Sequence, residues 1–401
     1  MNLRAWLAYI EECHPENIEM GLSRVRAVAE KACLMHFDCP VILVAGTNGK
    51  GSTVLALATL LRAAGYRVGT YTSPHLIAFN ERIQYQGHSV SDQALCEAFD
   101  WVEQHRDNIP LTFFEFTTLA AFYFLQAQQP DWVVLEIGLG GRQDAVNIID
   151  PVLSIITTIS LDHQAYLGTT REAIGFEKAG IIRRGCPVIL GSQAQTKSIL
   201  AVSQAQAAPC YLALQDFGYC APDLPAESVS LAVTAYTVMS RNPVFKLPAL
   251  ERVSESLRDL RLPGRFYRLE SMQGIEIIAD VGHNPEASSW LSGKLRELSP
   301  QKRIIAVWAS MADKDLASIV SPLIAQVSMW CVAAIPGVPR AASVCQLANV
   351  LEAAGVREIF RDASVSAAFH RALAKATQED LVLVFGSFYT VAALLIEIGE
   401  K

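Results

Sequence analysis

Seven residues near the start of the chain, Gly46-Thr47-Asn48-Gly49-Lys50-Gly51-Ser52, have the types needed to grip a polyphosphate. Glycines let backbone N–H groups turn inward and approach phosphate oxygens closely. A helix opening behind them adds partial positive charge. Lys50 can neutralise the outer phosphates, and Ser52 or Thr53 can offer a hydroxyl to Mg2+. The spacing departs from the usual phosphate loop, in which four residues separate the glycines and Ser or Thr directly follows the lysine. Here two residues separate Gly46 from Gly49, and Gly51 follows Lys50. The strand-loop-helix context still holds, with Pro40 to Ala45 apolar ahead of the loop.

Other residues with chemical capacity stand where apolar runs end. Glu136 closes Trp132-Val133-Val134-Leu135. His163 follows Val152 to Ile159, and Ser73 follows Arg67 to Tyr71. Parallel sheets bind ligands at the carboxyl ends of their strands. Mg2+ takes hard oxygen ligands, which suits Glu136. Ser73 reads equally as an oxygen ligand and as a helix cap. Lys178, in Glu177-Lys178-Ala179-Gly180, reads by itself as a solvated lysine, since a protonated amine binds no metal.

These residues need a frame. Val41 to Ala45, Arg67 to Tyr71, Trp132 to Ile137, Val152 to Ile159 and Pro187 to Leu190 read as strands. Lys50 to Ala64, ended by Gly65, and Thr170 to Ala179 read as helices. Such alternation argues for a parallel sheet covered on both faces. Between Ser192 and Arg261 the pattern blurs. Arg261-Leu262-Pro263-Gly264-Arg265 carries the breakers of an interdomain hinge. Beyond it Ile275 to Ala279, Ile304 to Trp308, Met329 to Ala334 and Leu381 to Phe385 read as strands, with helices at Glu286 to Leu298 and Ser343 to Ala354. The expected fold class is α/β. It comprises a phosphate-loop N-terminal domain with a mostly parallel sheet, residues 1–262, and a smaller Rossmann-like C-terminal domain, residues 263–401.

The bulk numbers agree with two packed domains. A chain of 401 residues exceeds what one core usually fills. With 51% apolar and 18% charged residues, wholesale disorder is excluded. A net charge of −7 gives no reason to expect nucleic-acid binding. The nine cysteines are odd in number and lack C-x-x-C spacing, so they read as reduced, buried thiols of a cytoplasmic protein. Met1 to Glu12 does not read as a secretory signal. The uncharged stretch Leu381 to Ile396 is too short to span a bilayer, so no membrane partner is expected.

Together these segments resemble the folylpolyglutamate synthase/dihydrofolate synthase family, within the Mur ligases. The resemblance runs through Val44 to Ser52, Tyr71 to Leu76, Leu135 to Ala145, Leu161 to His163, Glu177 to Ile181, Leu262 to Arg265, Asp280 to Pro285 and Gly386 to Phe388. It implies an ATP-dependent ligase. ATP phosphorylates a carboxylate, and the amine of L-glutamate displaces phosphate from the acyl phosphate. It implies that Thr47, Asn48, Gly49, Lys50, Gly51 and Ser52 hold ATP, with Arg265, Asp280, His283 and Asn284 reaching it from the C-terminal domain. Ser73 and Glu136 are the implied ligands of one Mg2+ and His163 of a second, with Ser52 a further implied metal ligand. Lys178 matches a lysine carbamylated in the family, a change that turns a cation into a carboxylate-like oxygen ligand. Lys50, Lys178 and His163 are the implied catalytic residues, and K+ is a further candidate ion. Two bridging cations would offset charge gathering in the transition state.

The stretch His14-Pro15-Glu16-Asn17-Ile18-Glu19-Met20-Gly21-Leu22 is similar to a pterin-binding segment of the bifunctional members. So are Leu111 to Phe116 and Gln143-Asp144-Ala145. The implied pterin contacts are His14, Pro15, Thr112, Phe113, Phe114, Glu115, Gln143, Asp144 and Ala145. Without the resemblance Phe113, Phe114 and Phe116 read as core. The implied substrates are dihydropteroate, reduced folates, L-glutamate and ATP, and the implied state is a monomer. There are departures: Glu227 or Ser228 stands where an ATP-contacting Asn is common, Gln143 where an apolar residue is frequent, and Gly282 for a common Ala. Three rival readings remain. One is a synthase acting on folates only. Another is a cell-wall Mur ligase, which should carry an extra uridine-nucleotide domain, whereas the loop here begins at Gly46. The last is a phosphate-loop regulatory ATPase, which has no need of a second α/β domain bearing Arg265.

Overall fold

Two alternating runs of strands and helices build two separate sheets. The computed structural model describes residues 1–401 except 17, 215–220, 222, 299–301 and 401, so Asn17 and Cys220 lie outside the described residues. The chain divides into two compact units, Met1–Leu260 and Arg261–Lys401.

The first unit holds β1 (Val41–Ala45), β2 (Val68–Tyr71), β3 (Ile83–Tyr85), β4 (His88–Ser89), β5 (Trp132–Glu136), β6 (Leu153–Ile156), β7 (Val188–Leu190) and β8 (Cys210–Leu212). Their spatial order is β4-β3-β2-β5-β1-β6-β7-β8. β1 is central, with Val44 level with Glu136 on one side and Ile155 on the other. Every residue of β1, β5 and β6 is buried, as expected of parallel strands covered on both faces. The β2–β3 and β3–β4 pairs are antiparallel. The hairpin turns at Gln86 and Gly87, both at positive φ (55° and 80°), which matches the right-handed twist of its strands.

The second unit holds β9 (Tyr267–Met272), β10 (Ile275–Asp280), β11 (Ile304–Trp308), β12 (Val327–Ala333), β13 (Ile359–Asp362) and β14 (Leu381–Phe385). The order is β13-β12-β11-β14-β10-β9, parallel except for the edge strand β9. The α/β class and the two mostly parallel sheets are those expected.

Three differences have physical causes. β6 ends at Ile156 and not at Ile159, because Thr157 and Thr158 leave the sheet to bind the phosphate loop. The helix Ala226–Ser240 lies in the blurred region; it is buried on nearly all sides and so shows no polar face to read. It packs against the helix Lys50–Ala63. The eight described cysteines are free thiols, but Cys331 is the buried one among them, and Cys33, Cys210 and Cys345 are exposed. Those three follow a helix, lie on the edge strand β8 and open a helix, respectively, rather than sitting inside a sheet.

Candidate active site

β1 runs straight into the phosphate loop. Gly46 has φ 149°, and a Cβ there would lie 1.7 Å from Thr157 Oγ1, so only glycine fits. Gly49, at φ 83°, opens the helix Lys50–Ala63. The loop is tied to the exit of β6. Thr47 N donates to Thr158 O at 2.8 Å, and Asn48 N to Thr158 Oγ1 at 3.1 Å. Thr157 Oγ1 donates to Asn48 O at 2.5 Å, and Ser160 N to Thr47 Oγ1 at 3.1 Å. From the helix Ala226–Ser240, Ser228 Oγ donates to Gly49 O at 3.3 Å. Of the two residues at the departure from the family's Asn, then, Ser228 touches the loop. Glu227 accepts from Ser192 N instead.

Behind the loop are the charged groups. Lys50 Nζ donates to Gly46 O at 3.1 Å and Thr47 O at 3.2 Å, and it lies 3.9 Å from Glu136 Oε1. Glu136, 4% exposed, accepts from Ser73 N through Oε2 at 3.3 Å. So β2, β5 and the loop helix bring Ser73, Glu136 and Lys50 together. Ser52 Oγ is buried and has no hydrogen-bond partner among the described residues. Lys178 is 4% exposed, not solvated, and donates to Gly46 O at 2.9 Å. Burial, then the charge of Lys50, pulls its pKa down to about 7, against the opposing pull of Asp162 and Asp144. His163 is exposed, at φ 50°, where it precedes the short helix Gln164–Leu167. Among the described residues no three His, Cys, Asp or Glu side chains are grouped to hold a metal.

The pterin-like segments meet through a chain of polar contacts. His14 Nε2 lies 3.0 Å from Glu19 Oε2, Glu19 pairs with Arg24, and Arg24 Nε donates to Glu115 Oε2 at 3.2 Å. Glu115 also closes a capping box with Thr112, accepting its N–H at 2.8 Å. The Glu115 carboxylate is thus engaged inside the protein. Phe116 is core, whereas Phe113 and Phe114 are partly exposed. Phe114 stacks on Tyr71 at 6.1 Å, and Gly138 leaves room for its ring. Asp144 is buried; it accepts from Leu139 N at 2.7 Å and Val146 N at 2.9 Å and shapes the turn before Ala145–Ile148. Burial raises its pKa to about 7. Gln143 is partly exposed and Pro15 exposed.

In the second unit, Asp280 ends β10 and accepts from Phe266 N at 2.8 Å and Gly282 N at 2.7 Å. The Arg265 guanidinium lies 5.4 Å from the Phe388 ring centre, and His283 packs 6.1 Å from the same ring. Asn284 Oδ1 accepts from Ala287 N at 3.0 Å, in the first turn of the helix Pro285–Leu298. Arg265, Asp280, His283 and Asn284 therefore sit at one end of one sheet.

A Mur ligase middle domain matches residues 44–190, and a Mur ligase, glutamate ligase domain matches residues 264–388. The dihydrofolate synthase/folylpolyglutamate synthase of Escherichia coli (strain K12) is 38% identical across 100% of this chain and 96% of that protein. The chain belongs to the dihydrofolate synthase/folylpolyglutamate synthase family. The structure of E. coli FolC in complex with DHPP and ADP superposes with a TM-score of 0.92, at 35% identity, covering 100% of this chain and 98% of that one. A bifunctional folylpolyglutamate synthase/dihydrofolate synthase with Mn, AMPPNP and L-glutamate bound gives 0.90 at 36% identity, over 100% and 98%.

A divalent ion, as in that family member, fits the residues present. Ser52 Oγ is an orphaned buried hydroxyl, and Glu136 is a buried carboxylate. Both are hard oxygen donors of the type Mg2+ and Mn2+ take. Thr157, Thr158, Arg24 and Arg82 escaped the sequence reading. The pair of threonines directly after an apolar strand was the available signal for the first two. For the arginines there was none, because their partners are distant in sequence.

Proposed function

We propose that this member of the family is an ATP- and Mg2+-dependent ligase that joins L-glutamate to dihydropteroate, giving dihydrofolate, and to reduced folates, giving polyglutamates. The bond formed is an amide, through an acyl phosphate. The observation that carries this is likeness over the whole chain to bifunctional relatives, with the loop, the orphaned Ser52 hydroxyl and buried Glu136 in one place.

In this reading Thr47 to Ser52 cradle the ATP phosphates and Lys50 neutralises the transferred one. Arg265, Asp280, His283 and Asn284 contact the nucleotide. Ser73 and Glu136, with the Ser52 hydroxyl, would hold Mg2+, His163 would hold a second ion, and Lys178 as a carbamate would add a further oxygen ligand. Bound Mg2+ supplies positive charge against the phosphoryl oxygens. Lys178 supports its part chemically. With its pKa near 7, much of the amine is neutral at physiological pH, and only the neutral amine adds to CO2. The amine lone pair forms the N–C bond as one C=O π pair moves onto oxygen, and the nitrogen then loses a proton to water, leaving a carbamate. Phe113 and Phe114 face a flat pterin, with Asp144, Ala145 and the His14–Glu115 network around it. The reading also includes a cytoplasmic monomer; no described helix is long and apolar enough to cross a membrane.

The test is phosphate release from ATP with L-glutamate plus dihydropteroate, and separately plus a tetrahydrofolate. Release with both is expected. Silence with both would sink the ligase reading, and release with tetrahydrofolate alone would remove its synthase half.

A further inference from the structure

Arg82 stands at the ligand end of β2. Its carbonyl accepts from Thr72 N at 2.8 Å, next to Ser73, and its neighbour Ile83 pairs with Tyr71. Its guanidinium lies 5.1 Å from the ring centre of Phe79 and 5.7 Å from that of Phe113. Nε donates to His75 Nδ1 at 2.9 Å, which requires an unprotonated nitrogen there. The nearby carboxylates are occupied. Glu81 accepts from the N–H groups of Leu76, Ile77 and Ala78 at 2.6, 2.7 and 2.6 Å. Glu136 accepts from Ser73 and faces Lys50. Among the described residues Arg82 forms no ion pair with a carboxylate; burial works against its charge, opposed by a hydrogen bond with the Tyr71 hydroxyl and by the more distant charges of Glu136 and Glu81.

A guanidinium stays charged in proteins, and a desolvated charge is normally paired. Two rings and an imidazole hold this one in place, and its planar fork matches a carboxylate. Phe113, one of those rings, belongs to the pterin-like segment, so the fork and the aromatic platform share a face.

We propose that Arg82 binds the carboxylate of a folate's terminal glutamate that does not react. The proposal rests on the ligase reading. Dihydropteroate has a single carboxylate, which reacts. A reduced folate ends in a glutamate with two, one reacting and one idle. A bidentate guanidinium on the reacting carboxylate would tie up the oxygen that must attack phosphorus. On the idle one it anchors the glutamate arm and leaves its partner free to meet the phosphate loop. Arg82 is thus a specificity residue for the folate-extending activity.

The experiment compares Arg82→Gln with the unmodified enzyme on both substrates. The KM for tetrahydrofolate should rise about 10- to 100-fold, the worth of a charge-assisted pair, while the KM for dihydropteroate moves less than about threefold. A second arm uses a tetrahydrofolate whose terminal glutamate is replaced by γ-aminobutyrate, which lacks the idle carboxylate. The unmodified enzyme should bind it as weakly as Arg82→Gln binds tetrahydrofolate, and the substitution should add no further loss. Equal losses on both substrates, no loss on either, or an unchanged KM for the analogue overturns the proposal. Should Arg82→Gln fail to fold, the analogue arm on the unmodified enzyme decides. An unmodified enzyme that turns over neither substrate defeats the ligase reading instead.

Discussion

The side-chain nitrogen of Lys178 donates to the carbonyl oxygen of Gly46 at 2.9 Å, joining the helix Arg171–Ala179 to the first turn of the phosphate loop. The glycines between them make this approach possible. A Cβ on Gly141 would lie 2.8 Å from Glu177 O and 3.0 Å from Lys178 Cα. The helix can therefore press against the Gly138–Gly141 turn that follows Glu136. A lysine so placed is a buried amine beside a second lysine, and both conditions favour its neutral form.

The carbamate is the first thing to test. Lysine with its pKa near 7 is mostly protonated below that pH and mostly neutral above it. In 13C-bicarbonate the carbamate NMR signal should therefore grow between about pH 6 and about pH 8, and vanish in Lys178→Ala. That variant should lose about 100-fold or more in kcat, with partial recovery on adding a small carboxylate such as formate. A pH-independent signal, or full activity without the amine, would refute the assignment.

Lys50 and Glu136 are expected to act on turnover rather than on folding. Lys50→Ala and Glu136→Ala should each lower kcat about 100- to 1,000-fold, as for removal of one preorganised charge partner. Near-normal phosphate release from either would remove its assigned role.

Ser52 separates ion binding from stability. Its hydroxyl has no hydrogen-bond partner among the described residues, so Ser52→Ala should change the unfolding free energy measured in urea by less than about 1 kcal/mol. The Mg2+ concentration for half-maximal activity should rise about 10-fold or more. A large stability loss with unaltered Mg2+ dependence would show that the hydroxyl serves the fold instead.

Glu115 should matter mainly to stability. Glu115→Ala removes the capping box and one of the two carboxylates that pair with Arg24, for a loss of about 1–3 kcal/mol in chemical denaturation. Glu115→Gln keeps the box and loses only the charge, so about 1 kcal/mol is expected. Equal losses would mean that the ion pair alone carries the effect.

Thiol reactivity offers an independent check of burial. Burial pushes Cys39 and Cys331 up to about 12, so both stay protonated at pH 8. Iodoacetamide should label the exposed Cys33, Cys210 and Cys345 first, as read by peptide mass spectrometry. Labelling of Cys331 in the native protein at a comparable rate would contradict the buried sheet position.

Much of this site was legible in the chain itself. The loop Gly46 to Ser52, the strand-end position of Glu136 and the two α/β runs are local patterns, set by glycine freedom and by apolar runs of strand length. Those properties belong to neighbouring residues, so a linear reading reaches them. Only the tertiary structure decided that Lys178 is buried, since that depends on the loop it meets 132 positions away. The same holds for Ser228 rather than Glu227 touching Gly49, and for Glu115 pairing with Arg24 across 91 positions. Nothing in the linear sequence sets Arg82 apart. That it has no carboxylate partner among the described residues is visible only once the Glu81 side chain is seen to cap its own loop. Burial, charge pairing and pKa arise from through-space neighbours, and folding alone selects those.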